Sequence, residues 1–257
     1  MKISVCVPSY KRPKVETFRY IPFAKVFVDI DEYQSYIDAN KGYEENIISV
    51  PKGVQGNLCR IRNYIIDTEF ASGVDVVVIV DDDMKGIYRW YNKKKELLPS
   101  DEIIDFIYRY SVLAIDLGVY FWGINVNTDK QVYREYTPFS TVSYIGGPFQ
   151  AFIKDGGLRY DEKLPLKEDY DMTLQQLNKF RRVLRVNAYH YDVKQSEQKG
   201  GCATYRNYER EEQQLRLLQK KWGSKIVKFD KADGHNMKKK KTRIDYNPII
   251  NVPIKGI

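Results

Sequence analysis

Short apolar runs alternate with segments of helical spacing through most of the chain. Ile3-Ser4-Val5-Cys6-Val7 breaks at Pro8-Ser9-Tyr10, and 25–28 and 47–50 are equally strand-like, so the pattern predicts strands at 2–7, 25–28 and 47–50. Residues 31–40 between the last two predict a short helix with Asp31 as its N-cap. After Gly56, Asn57 is placed to cap a helix carrying Leu58, Ile61, Ile65, Ile66 and Phe70, which Gly73 stops. The run 74–80, VDVVVIV, is apolar on both faces and rich in β-branched residues, the signature of a central parallel strand. A helix from Ser100 to Leu117, an aromatic strand over 119–126, a strand at 149–153 and a helix opening at 167–169 follow. The last elements are a strand at 182–191 and a charged helix at 204–222, ended by Gly223. This order predicts an α/β fold: one domain over 1–229 with a mostly parallel central sheet flanked by helices, then a basic extension over 230–257. No internal repeat and no linker interrupts it.

The central strand ends abruptly in Asp81-Asp82-Asp83. Ligands of open α/β sheets bind at the carboxyl ends of strands, which is where these carboxylates lie. In extended chain Asp81 and Asp83 would point to one side and Asp82 to the other. Two close carboxylates repel unless a cation stands near them, and oxygen ligands favour Mg²⁺ or Mn²⁺ completed by water and substrate phosphates. Aspartates are also common in turns, and the tripeptide alone fits a phosphatase or nuclease as well.

Charge changes the picture of partners. The 257 residues carry a formal net charge of +8, which suits a polyanion or an anionic membrane surface but is equally compatible with a solvated basic face. The basic residues cluster at Lys93, Lys94 and Lys95, at Arg181, Arg182 and Arg185, and at Lys238, Lys239, Lys240, Lys241 and Arg243. Such groups neutralise nucleic-acid phosphates, although each run by itself reads as a solvated face. Three scattered cysteines, Cys6, Cys59 and Cys202, argue against a disulfide framework and fit a reducing cytoplasm. The chain opens directly on a strand pattern, no stretch is long and apolar enough to span a bilayer, and a cytoplasmic location is expected.

Four blocks, in order, resemble the family-2-type GT-A glycosyltransferases. SVCVPSYKRP is similar to the family's opening strand, which implies nucleotide contacts at Pro8, Ser9, Tyr10 and Arg12. GNLCRIRNYII is similar to its Gly…Ala-Arg-Asn helix, implying donor-side roles for Gly56, Arg62 and Asn63, with Cys59-Arg60 departing from the family's small residues. VVVIVDDDM resembles its DxD element, implying Asp81 near the ribose, Asp83 on the metal and Asp82 beside them. The segment FIKDGGLRYDEKLPLKEDYDMTL resembles the one ending in Glu-Asp, here Glu168 and Asp169.

The resemblance implies inverting transfer of a sugar from a UDP-sugar to a hydroxyl, with Mn²⁺ or Mg²⁺ on the diphosphate. Asp169 is then the general base, and Asp171 the competing candidate. Read without it, Glu168 to Asp171 are acids in the first turn of a helix. His190 is a further metal ligand under the resemblance and a structural ring otherwise. Gly200-Gly201 and Arg206 form either a flap reaching the diphosphate or a loop feeding a helix. The arrangement is most similar to the TET/JBP-associated DNA-base glycosyltransferases of phages, which implies 5-hydroxymethylpyrimidine in DNA as acceptor. An enzyme reaching such a group in duplex DNA works by flipping the base out, with aromatic side chains available to fill the gap. The alternatives are a glycosyltransferase acting on a cell-surface glycan or lipid-linked saccharide, and a silent nucleotide- or DNA-binding module.

Overall fold

The computed structural model describes residues 1–92, 94–128, 133–193, 200–229 and 247–254. Lys93, Lys238 and Lys239, together with the rest of the 230–246 stretch, lie outside the described residues.

Four parallel strands form one half of a large mixed sheet, in the order β3 (Ile47–Val50), β2 (Lys25–Asp29), β1 (Ile3–Pro8) and β4 (Val76–Val80). The other half continues through β9 (Phe149–Ile153), β7 (Phe121–Asn125), β10 (Leu184–Val193), β5 (Met84–Tyr91) and β6 (Lys94–Leu97). β9 runs antiparallel to both neighbours, whereas β7 and β10 are parallel to each other. β5 and β6 form a hairpin against β10, and the two-residue β8 (Phe139–Ser140) also pairs with β10. β11 (Val227–Phe229) and β12 (Pro248–Ile250) make a separate antiparallel pair, so part of the expected extension pairs with a strand that follows the last helix.

Burial explains the layering. Val76, Val78 and Val80 pack with side chains of α1 (Tyr33–Ala39) and α3 (Ile103–Asp116), whereas Val77 and Ile79 pack with α2 (Leu58–Ala71) and α4 (Glu168–Phe180). Period-two side chains of one strand thus feed two cores, the condition for a strand apolar on both faces. α5 (Tyr208–Trp222) adds Leu215 and Leu218 to a smaller cluster with Leu164 and Leu174. Cys6 and Cys59 are free thiols buried in the second core, and burial pushes the Cys6 thiol up to about 12. Among the described residues, no helix is long and apolar enough to cross a membrane.

Asn57 caps α2 as expected, its side chain accepting from the amides of Cys59 and Arg60 at 2.9 and 3.2 Å. The cap before α1 differs: Asp29, not Asp31, accepts from the Asp31 amide and heads a 3₁₀ turn over Ile30–Glu32. The β5–β6 hairpin, which the pattern did not predict, accounts for the chain immediately after the acidic cluster.

Candidate functional site

The carboxyl ends of β1, β4 and β10 and the N-terminus of α4 meet at one edge of the sheet, around a cavity of about 280 Å³. Its lining includes Pro8, Tyr10 and Arg12 after β1, Gly56 before α2, and Asp81, Asp82 and Asp83 after β4. Glu168 and Asp169 from the first turn of α4, and Arg206 from the segment before α5, complete it. Gly56 sits at φ +88°, a left-handed conformation that an L side chain adopts only with strain, at the bend that delivers α2 to the cavity.

The three aspartates do not alternate as an extended chain would. They occupy a turn, the Met84 amide reaching back to the Asp81 carbonyl at 3.4 Å. Asp81 faces Arg62 at 3.2 Å, whereas Asp82 and Asp83 both face Arg12. A turn frees side chains from period two, which is why the expected split of Asp81 and Asp83 from Asp82 fails. Residues 16–17 brace the turn: the Glu16 amide donates to the Asp82 carbonyl at 3.0 Å, and Thr17 Oγ1 to the Asp81 carbonyl at 2.6 Å.

Asp82 is clasped by Arg12 and by the Ser9 hydroxyl. Ser9 lies just behind the lining, where its Oγ also meets the Tyr36 hydroxyl at 2.9 Å. Burial nevertheless lifts Asp82 to about 6, against the opposing pull of Arg12 and Ser9. Asp83 is lifted to about 7, first by burial and then by the charges of Asp81 and Asp82. The groups thus fit a divalent cation: adjacent carboxylates, one held at 3.6 Å from its cationic neighbour, that a bound charge would relieve. Among the described residues, no three His, Cys, Asp or Glu side chains converge on a metal position.

Arg62 occupies the floor. It is wholly buried on α2 and donates to Asp81 and Glu168 at 3.2 Å, to Gln150 at 3.2 Å and to the Gly147 carbonyl at 3.1 Å. This fork ties β4, β9 and α4 together through one cation. Glu168 is still pushed up to about 8, by burial first and by Asp169 next, with Arg62 opposing. Asp169 accepts from the Gly147 amide at 3.2 Å and from the Tyr144 hydroxyl, and its other oxygen from the Tyr170 amide at 2.8 Å. A Cβ on Gly147 would stand 3.4–3.5 Å from Asp169, Arg62 and Glu168, which is ordinary van der Waals contact, so this backbone runs close to all three without requiring a glycine.

The remaining expected residues fall elsewhere. Asp171 is fully buried and turned to α5, bonded by Trp222 Nε1 at 2.8 Å and by Lys221 at 2.9 Å. Asn63 exchanges two hydrogen bonds with the backbone of Tyr160, at 2.9 and 2.8 Å, and is not part of the lining. His190 is fully buried in β10, between Tyr88 (centroids 5.5 Å) and Trp90 (5.6 Å), and does not line the cavity. Lys94 and Lys95 lie on the outermost strand β6, Lys95 over the Tyr88 ring and 3.8 Å from Asp192. Arg181 and Arg182 are exposed past the C-terminus of α4, thirteen residues from Glu168 and so roughly 20 Å along the helix from the cavity.

Several site residues escaped the pattern. Gln150 sits in an apolar strand, FQAFI, and a polar residue inside such a run is a signal that could have flagged it. Gln55 joins the ends of β1 and β2 by donating to the Ser9 and Phe27 carbonyls at 3.0 and 2.9 Å. Arg206, expected either on a flap or in a loop feeding a helix, lines the cavity and is held there by the buried Glu211 at 3.0 Å; Glu211, which the sequence reading missed, also pairs with Lys167. Nothing local marks Glu211 or Tyr144.

No family model and no curated protein matches this chain. Among solved structures, it is similar to TarS 1-349 of S. aureus, at 16% identity and TM-score 0.44, over 74% of this chain and 59% of that one. A197 from STIV is similar at 8% identity and TM-score 0.43, over 78% and 89% of the two chains. A putative nucleotide-diphospho-sugar transferase from Desulfovibrio desulfuricans G20 is similar at 10% identity and TM-score 0.40, over 73% and 80%. The chain thus spans about 59% of the TarS chain it matches, and likenesses this loose carry no activity across.

Proposed function

We propose that this chain is a metal-dependent, inverting glycosyltransferase of GT-A type that moves a sugar from a UDP-sugar to a hydroxyl. One observation carries the reading: a clustered aspartate turn and a separately held carboxylate, Asp169, line the same cavity at the carboxyl edge of the sheet. A nucleotidyl diphosphate and an acceptor hydroxyl need those two kinds of group on either side of the transferred sugar.

In this reading Pro8, Tyr10 and Gly56 seat the nucleoside, and Arg12, buttressed by Asp82 and Ser9, fixes the lip beside it. Asp83, with Asp81 beside it, would hold Mn²⁺ or Mg²⁺, which when bound supplies neutralising charge to the departing diphosphate. Arg206 adds a second positive charge on the opposite wall. The acceptor oxygen bonds to the anomeric carbon as the bond from that carbon to the phosphate oxygen breaks. Asp169 accepts the hydroxyl proton, and UDP leaves with the bonding pair. Asp169 suits this role because the Gly147 amide and Tyr144 hydroxyl aim it, whereas Asp171 is engaged by α5. His190 is left out of the metal shell in this reading, since two aromatic rings enclose it.

For the acceptor we carry forward the 5-hydroxymethylpyrimidine of DNA that the sequence resemblance implies, with Lys94 and Lys95 on the outermost strand as candidate phosphate contacts. Incubating hydroxymethylated and unmodified duplexes with a panel of UDP-sugars and Mn²⁺, followed by mass spectrometry of the nucleosides, tests it. A hexose-sized mass gain on the hydroxymethylated duplex alone is expected. Transfer to a saccharide or lipid-linked acceptor, with none to DNA, would replace the acceptor, and failure to bind UDP at all would leave the silent module.

A further inference from the structure

Behind Asp169 lies a second cavity, of about 350 Å³, in the range of small-molecule sites. Tyr144 and Tyr170 form one wall as a stacked pair, centroids 4.2 Å apart and planes within 14°. Leu174 and Leu177 of α4 form a second, and Ile250 of β12 helps close it from the C-terminal side. The body of the cavity is therefore aromatic and aliphatic.

Among the described residues, its one charged lining residue is Arg185 of β10. Arg185 Nε donates to Asn187 at 2.9 Å, and among the described residues the guanidinium has no ion-pair partner. The contrast with the first cavity is plain: there Arg12, Arg62 and Arg206 each face a carboxylate. A half-buried guanidinium with open N–H groups, set in an apolar wall, calls for an anion. Burial also pulls Arg185 below its ordinary value, a cost that an anionic partner would offset.

The two cavities are linked through Asp169 and Tyr144. Asp169 lines the first, while Tyr144 in the wall of the second donates its hydroxyl to it. That hydrogen bond marks a route by which an O–H on the second cavity's side reaches the carboxylate.

We propose that the second cavity seats the acceptor, and that the acceptor is a ring-bearing anion: its ring against the Tyr144–Tyr170 stack and the leucines, its carboxylate or phosphate on Arg185, its hydroxyl directed to Asp169. The acceptor role rests on the transferase reading; the binding site stands on the cavity and on a guanidinium that has no ion-pair partner among the described residues.

Calorimetry on the full chain tests the site without any sugar donor, using 4-(hydroxymethyl)benzoate, phenyl phosphate and neutral benzyl alcohol. At least one anion is expected to bind about tenfold or more tightly than benzyl alcohol, and the tighter of the two names the source. Arg185→Ala should erase that preference while binding UDP with Mn²⁺ as the wild type does. Arg185→Lys should keep part of the preference, and Leu174→Trp, which fills the cavity, should weaken all three probes. Anions that bind no better than benzyl alcohol, or a preference that survives in Arg185→Ala, would overturn the site. Should Arg185→Ala not fold, Arg185→Lys and Leu174→Trp decide by the same readings. Arg185-dependent binding without sugar transfer from any donor would keep the site and remove the transferase. Transfer that saturating 4-(hydroxymethyl)benzoate and phenyl phosphate both leave uninhibited would remove the acceptor assignment.

Discussion

Trp222 donates its indole N–H to Asp171 at 2.8 Å, on the flank of α4 turned away from Asp169. Residues two apart on a helix lie some 200° apart around its axis, so two neighbouring acids enter different environments. Asp169→Asn is expected to lower sugar transfer by roughly 10²-fold or more while UDP binding persists. Asp171→Asn should leave transfer by folded protein nearly intact but lower stability by about 3 kcal/mol, because Lys221 and Trp222 lose their acceptor's charge. Single-turnover transfer and urea denaturation of both variants separate these effects; the reverse pattern makes Asp171 the base.

Asp82 and Asp83 share Arg12 but not a role in our reading. Asp83→Ala is expected to abolish the increment that Mn²⁺ adds to UDP affinity. Asp82→Ala should keep the increment and weaken UDP binding in both conditions, since it releases Arg12 and Ser9. Titrating UDP with Mn²⁺ and with EDTA checks it, and an increment that survives in Asp83→Ala would sink the assignment.

The folded chain holds a proton on Asp83 up to about pH 7, whereas the unfolded chain releases it near 3.8. Folding therefore takes up a proton between those values, and this group's contribution to stability declines as pH rises through that window. Asp83→Asn keeps the shape without the charge. In EDTA at pH 8 it should stabilise the protein by roughly 4 kcal/mol, the gain shrinking toward zero near pH 4. Thermal unfolding across that range measures it, and a gain independent of pH would contradict the buried-charge account.

Arg62 serves four acceptors from inside the protein. Arg62→Met leaves Glu168 and Asp81 without their cation and should cost about 3–5 kcal/mol. Arg62→Lys should recover little, because a point charge cannot fork between β4, β9 and α4. Urea midpoints at unchanged slope would report the loss as stability alone. A full rescue by lysine would show that charge, not geometry, matters there.

Much of the frame was legible because it rests on local pattern. β3 and β9 fall where the apolar runs put them, β4 differs at one end only, and Asn57 and Gly73 bound α2 as their capping chemistry requires. The β5–β6 hairpin was not legible: MKGIYRWY has no clean alternation, and the lysines that follow look like a solvated face until β10 is there to pair with. The site shows the same division. Asp81 to Asp83 and Glu168-Asp169 announce themselves as clusters, but Glu211 reaches Lys167 across 44 residues, a relationship no window of sequence contains. Asp171 matched Asp169 in every local respect and differed only in what α5 brings to it.

The Gly201 amide donates to the Tyr10 carbonyl at 2.7 Å, and a Cβ on Gly200 would stand 2.6 Å from the Lys11 carbonyl oxygen. One lip of the first cavity thus belongs to residues 10–12 and the other to residues made some 190 positions later. At about 5–20 residues per second, roughly 10–40 s separate their synthesis. A nascent chain therefore carries its acidic turn long before the first cavity can close. Ligand can assist only the end of maturation, after the segment carrying Arg206 has emerged.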